Sequence, residues 1–180
     1  MFRTSLKNNK ILVYAFFQML VLAAARNIIA PLIPLISGEL GVGLDYIGSV
    51  IALSIFALFF VSLTTGNLIE IIGLKKVMFI GLGINFAGSI LLYFSNIFSI
   101  FIIAYFLMEL GLGMLIIGNL SIAGTLYPKN RASSLLKIGF GHTSAFIFAP
   151  LIVSLILFID VDWRYYYIFN LIPLIALVIV

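Results

Sequence analysis

Long apolar runs broken by short polar stretches follow one another along the whole chain. A helix that crosses a hydrocarbon core about 30 Å thick needs roughly 20 apolar residues. Six runs approach or exceed that length, over about 11–36, 46–69, 77–95, 97–126, 138–159 and 165–180. The first is interrupted by Arg26 and punctuated by Pro31 and Pro34, and a tight Ser95-Asn96 turn divides the third from the fourth. None alternates polar and apolar residues as a barrel strand does over about ten residues. Backbone groups in lipid must be satisfied within the chain, so the runs predict helices. The expected fold class is all-α, a polytopic membrane protein with six transmembrane helices in one domain over residues 1–180.

Composition narrows the picture. Of 180 residues, 64% are hydrophobic and only 9% charged, against about 25% charged in an average soluble domain. Too little polar surface remains for a water-soluble fold, so the lipid bilayer is the first expected partner. The net charge of +4 comes from short clusters of Lys and Arg between apolar runs, which read as topology signals rather than as a nucleic-acid surface. There is no cysteine, which excludes a disulfide framework, a CxxC redox pair and a thiolate metal site. No metal and no cofactor are expected.

The charges sort by side. Arg3, Lys7 and Lys10 precede the first run, Lys75 and Lys76 separate the second from the third, and Lys129, Arg131 and Lys137 separate the fourth from the fifth. The other connections carry Glu39, Asp45, Asp160, Asp162 and the single Arg164. Lys and Arg concentrate on the cytoplasmic side of membrane proteins, so the N-terminus and the basic loops are expected in the cytoplasm of a multi-pass protein of the cell membrane. Trp163 and Tyr165 to Tyr167 are expected to anchor at the outer interface, where amphipathic rings collect. The start imitates a cleavable signal, with a basic region, an apolar stretch and Ala23-Ala24-Ala25. Against cleavage, the apolar run resumes at Ile28 and five more follow. The sixth run is still apolar at Val180, with no Lys or Arg to mark an exit, and this leads us to expect further chain.

Between the second and third runs stands Gly66-Asn67-Leu68-Ile69-Glu70-Ile71-Ile72-Gly73-Leu74-Lys75-Lys76-Val77. It resembles the cytoplasmic signature of the major facilitator superfamily, written roughly G-x-L-a-D-r-x-G-r-k. Gly66, Leu68, Gly73 and Lys75 fit, Glu70 replaces the usual Asp, and Ile71 and Leu74 depart where Arg is frequent. A Gly at position 66 allows a neighbouring helix to approach, Glu70 sets an anion at a helix end, Gly73 permits a sharp turn, and Lys75 and Lys76 hold the loop inside. The resemblance implies a conformational latch made by Gly66, Glu70, Gly73, Lys75 and Lys76, weakened by the loss of Arg at Ile71. Arg26-Asn27 with Pro31 and Pro34, Gly111-Leu112-Gly113 followed by Asn119 and Pro128, and Trp163-Arg164 before a Tyr-rich segment are similar to other parts of the family. Some of these are similar to fucose-type sugar symporters. Tyr105, where many members have Arg, and Ala145 with Ala149-Pro150, where drug antiporters are Gly-rich, leave the branch open. The resemblance implies one six-helix bundle of two three-helix inverted repeats, forming the N-terminal half of a twelve-helix transporter.

Ionisable groups inside spans usually face a cavity or a partner. Arg26 lies roughly 22 Å into the first span, Glu109 enters the fourth from the other side roughly 18 Å deep, and His142 lies near the start of the fifth. Three readings of Arg26 and Glu109 stand open: lining of a central path, an internal charge pair, or an Arg26 that reaches out to the headgroups. If they line the path, Glu109 is the candidate proton carrier and Arg26 a grip for an anionic or hydroxylated solute. Asn27, Gln18 and Asn119 offer hydrogen bonds to a solute or between helices, and His142 is either packed or a proton relay. Gly81, Gly83, Gly111 and Gly113 are expected at close helix contacts, whereas Asn85 and Asn170 carry less weight.

The leading function is a secondary active transporter for a small-molecule solute, with protons as the candidate coupling ion and a missing C-terminal half or second copy as partner. The alternative is a truncated or half-size six-span protein that does not transport alone. An intramembrane enzyme is disfavoured, since no HExxH or GxSxG occurs and the aspartates are confined to the outer loops.

Overall fold

The computed structural model describes residues 2–168 and 170–171, with side chains from Lys10 onward within that range. Six long helices follow in order: α1 (Phe2–Asn27), α2 (Ile29–Leu40), α3 (Leu44–Ile72), α4 (Leu74–Tyr93), α5 (Phe98–Leu126) and α6 (Arg131–Phe158), with a 3-10 turn at Pro128–Asn130 before the last. Residues 164–168 and 170–171 are again helical, so most of the expected sixth span lies outside the described residues. Among the described residues there is no strand, and five helical stretches, α1 with α2 counted as one, are long and apolar enough to cross a membrane.

The first expected span is therefore two helical pieces. Pro31 and Pro34 lack the N–H that would bond back to the carbonyls of Asn27 and Ala30, so the ladder weakens there. Ile28 nonetheless keeps α-helical angles (φ −67°, ψ −23°), and its N–H still reaches the Ala24 carbonyl at 3.2 Å. The result is a joint within one continuous helical stretch. α2 ends on Gly41 at φ 64°, a left-handed cap that glycine adopts without Cβ strain. Gly73, at φ 89°, makes the α3–α4 turn in a region closed to most side chains. Two boundaries differ clearly from expectation. α6 begins at Arg131 rather than near 138, because Ala132 to Lys137 continue a helix that is amphipathic instead of apolar, and α1 reaches back to Phe2 for the same reason.

α5 forms the centre of the bundle and is buried along most of its length. It packs along α4 and α3 and crosses α1, while α1 lies along α6. Small residues set the closest approach. A Cβ added to Gly111 would fall within 3.0 Å of backbone atoms of Gly81 and Asn85 on α4, and one at Gly88 would meet the α5 backbone at Ala104 and Met108. Gly113 meets α3 in the same way, but nothing lies within 4 Å of Gly83, which therefore does not serve the contact expected of it. Ala23 and Ala24 of α1 face Ala145 of α6. Elsewhere the bundle turns apolar groups outward: Phe56, Phe60 and Leu63 of α3 and Ile147, Leu151 and Phe158 of α6 are exposed, as suits a lipid solvent.

At the end where α2, α4 and α6 finish, one guanidinium joins three connections. Arg164 Nη1 lies 2.7 Å from Glu39 Oε2 and 3.2 Å from Asp162 Oδ2, while Nε and Nη2 donate to the Ser95 carbonyl at 3.4 and 3.2 Å. The guanidinium also covers the Trp163 ring at 4.6 Å, and Trp163 Nε1 donates to Glu39 at 3.1 Å. Trp163 and Tyr167 are fully buried, so they are core residues and not the interfacial anchors the aromatic run suggested. Tyr165 alone of that pair-flanked group is exposed to the surroundings. The expectation failed because an indole with its N–H paired to a carboxylate is as content inside as at an interface.

Candidate functional site

Ionisable and amide side chains meet along the crossing of α1 with α5. The two helices run antiparallel, and two contacts mark their common face. Near one end, Asn119 Nδ2 donates to Gln18 Oε1 at 2.8 Å and to the Leu115 carbonyl at 2.9 Å, while Gln18 Nε2 donates to the Tyr14 hydroxyl at 3.1 Å. Eight residues further along α1, about 12 Å at 1.5 Å per residue, Arg26 Nε donates to Glu109 Oε1 at 2.9 Å. Between the open readings of these two residues, the geometry selects the charge pair. The difference in depth is spanned by the long arginine side chain, and its guanidinium points to Glu109 rather than to the headgroups.

The pair is unequal in exposure. Glu109 is wholly buried, whereas the Arg26 side chain is 24% exposed, so the arginine remains partly accessible. Glu109 Oε2 is buried without a hydrogen bond, and so is the Asn27 amide nitrogen beside Arg26. Tyr105, one turn from Glu109 on α5, stands close enough to interact with both partners. It is stacked on Phe101 with ring centroids 5.9 Å apart. A charge-assisted pair of this kind neutralises two ions that would otherwise be unsupportable in hydrocarbon. It also leaves Glu109 Oε2 on α5 and the Asn27 amide nitrogen on α1 buried without a geometric hydrogen bond, with Tyr105 in reach of the carboxylate.

Of the remaining site candidates, Asn119 lies apart from the ion pair and bonds between helices, with its Oδ1 buried and unpartnered. His142 on α6 is partly buried, edge-on to Phe146 at 6.0 Å and within electrostatic reach of Arg26, but outside the Arg26–Glu109 contact. Gly66 and Glu70 on the last turns of α3, Gly73 at the turn, and Lys75 and Lys76 on the first turn of α4 are all exposed. Nothing lies within 4 Å of a Cβ built on Gly66, so no helix among the described residues makes the close approach expected there. Among the described residues no ion pair reaches Glu70.

Tyr14 escaped the sequence, while Asn85 and Glu39 were given too little weight in it. Tyr14 extends the Gln18–Asn119 contact, and its only signal is the four-residue spacing that puts it on the Gln18 face. Asn85 is buried on α4 and donates to the Met108 carbonyl at 3.0 Å, directly beside Glu109. Its position among Gly81, Gly83 and Gly88 was the available hint. Glu39, read only as an outer-loop charge, carries the Arg164 and Trp163 contacts.

None of the curated proteins matches the chain. The family model of the Major Facilitator Superfamily matches residues 15–180, which takes in α2 to α6, most of the membrane part of α1, and both the Gln18–Asn119 and Arg26–Glu109 contacts. With that match over most of a multi-pass bundle of apolar helices, the chain belongs to the Major Facilitator Superfamily, a family of membrane transporters.

Proposed function

We propose that the protein is a secondary active transporter that carries a small solute across the cell membrane by alternating access, with protons as the coupling ion. The observation that carries this reading is the Arg26–Glu109 pair, an ion pair with a wholly buried carboxylate at mid-span. Protonation of Glu109 removes the charge that holds the guanidinium. Arg26, already partly exposed, is then released to meet an anionic or hydroxylated solute, and loss of the proton restores the pair. Proton uptake and solute binding are thereby linked through one hydrogen bond. Asn27 and Asn119, each with a buried unpartnered polar atom, offer further hydrogen bonds to the solute, and His142 stands where a proton could pass.

The rest of the reading follows the charge pattern. The N-terminus and the turns bearing Lys75, Lys76, Lys129 and Arg131 lie in the cytoplasm. The exposed end of α3 and start of α4, with Gly66, Glu70, Gly73, Lys75 and Lys76, latch against a second six-helix unit, supplied by the same polypeptide or by another copy. That unit also supplies the far wall of the path.

The test is uptake into proteoliposomes under an imposed proton gradient. Candidate solutes come from a thermal-shift screen of sugars, organic acids and cationic drugs, since a ligand bound by the native form raises its stability. Glu109→Gln is expected to abolish gradient-driven uptake while the protein still inserts and melts cooperatively. Gradient-dependent uptake by Glu109→Gln at the wild-type rate would remove Glu109 from the coupling step.

A further inference from the structure

The joint in the first span and the cluster around Arg164 belong together. The segment that begins at Trp163 is bonded on both sides of the joint. Below it, the Tyr167 hydroxyl donates to the Ala25 carbonyl at 3.3 Å. Beyond it, Trp163 Nε1 and Arg164 Nη1 both donate to Glu39, at the far end of α2. Between those two anchor points lie Ile28 and the two prolines that remove backbone hydrogen bonds from the ladder. Arg164 is itself fixed. It is buried, held by Asp162 and by the Ser95 carbonyl, and Asp162 Oδ1 also accepts the Arg164 backbone N–H at 2.8 Å.

We propose that the Trp163–Tyr167 segment is a splint across the Ile28 joint, and that the Glu39 contacts with Arg164 and Trp163 are its releasable end, freeing α2 to swing away from the bundle above the Arg26–Glu109 pair. The two ends differ in the way a latch requires. Tyr167 is buried and meets a backbone carbonyl, whereas the Glu39 and Asp162 side chains are 35% and 44% exposed and open to water. Release uncovers the inner face of α2, where Ile29, Leu32, Ile36 and Ser37 are buried. The proposal concerns the folding of α2 on the bundle and stands whether or not any solute is carried, so it fails or survives independently of the transport reading.

The chain has no cysteine, so single-cysteine labelling has no background. Ser37→Cys, close in size to the native residue and 8% exposed, reports on α2, and Ser89→Cys, 0% exposed on α4 and without a hydrogen bond, reports on the bundle as a whole. Both are labelled with a charged maleimide in open membrane fragments, where each face is accessible. Glu39→Gln and, separately, Trp163→Phe are expected to speed labelling of Ser37→Cys by about tenfold or more, the loss of a charge-assisted contact being the cause. Ser89→Cys stays protected in both. Unchanged labelling of Ser37→Cys in the two variants would refute the splint, and labelling of Ser37→Cys and Ser89→Cys that rose in parallel would replace the hinge with general loosening.

Discussion

A guanidinium and a carboxylate in hydrocarbon are each costly, and together they are tolerable only while they touch. Removing one partner strands the other, which typically destabilises by about 3–5 kcal/mol. Arg26→Met is therefore expected to lower the melting temperature of the purified protein markedly, by leaving Glu109 buried and unpaired. Arg26→Met with Glu109→Gln should recover most of the loss, and a thermal melt followed by size-exclusion chromatography separates the two. A double variant no more stable than the single one would show that the pair does not act as a unit. The membership of this pair was only half legible. Two ionisable residues within spans stood out at once, but which faces of α1 and α5 meet depends on helix rotation, and no periodicity survives in runs that are apolar all round. Trp163 shows the converse limit, since nothing in Trp163-Arg164-Tyr165 says whether the indole meets headgroups or the carboxylate of Glu39 124 residues earlier.

At the scale of the helix, the α4–α5 contact depends on backbone meeting backbone at Gly81, Gly88 and Gly111. Gly111→Val would drive a side chain into the Asn85 and Gly81 main chain, and overpacking of this kind typically costs about 1–3 kcal/mol or more. Gly83→Ala meets nothing within 4 Å and is expected to be neutral within about 0.5 kcal/mol. Comparison of the two melts tests the contact directly, and equal losses would mean that the helices do not approach as closely as described. Helix positions were readable because apolar length alone defines a span. Helix ends were less so: Arg131 to Lys137 form the first turns of α6, where charged residues keep a helix going outside the lipid. The joint at Ile28 announced itself through Pro31 and Pro34, but its bracing did not, because the bracing residues lie in a connection more than a hundred residues away.

For the molecule as a whole, charge asymmetry makes the sharpest prediction. Reporter fusions at Lys75 and Lys129 should fall on the same side of the membrane and a fusion at Asn96 on the other. Opposite placement of Lys75 and Lys129 would overturn the topology and the transport reading with it. Burial of Arg164 strengthens the asymmetry, since the lone basic residue among the acidic connections is paired with Glu39 and Asp162. Gln18–Asn119 and Arg26–Glu109 are spaced like two teeth on a single rack, so sliding one helix by a turn past the other disengages both together. A conformational change in the protein that breaks the ion pair by helix sliding must break the amide contact as well, whereas protonation of Glu109 would loosen the ion pair and leave the amide contact in place.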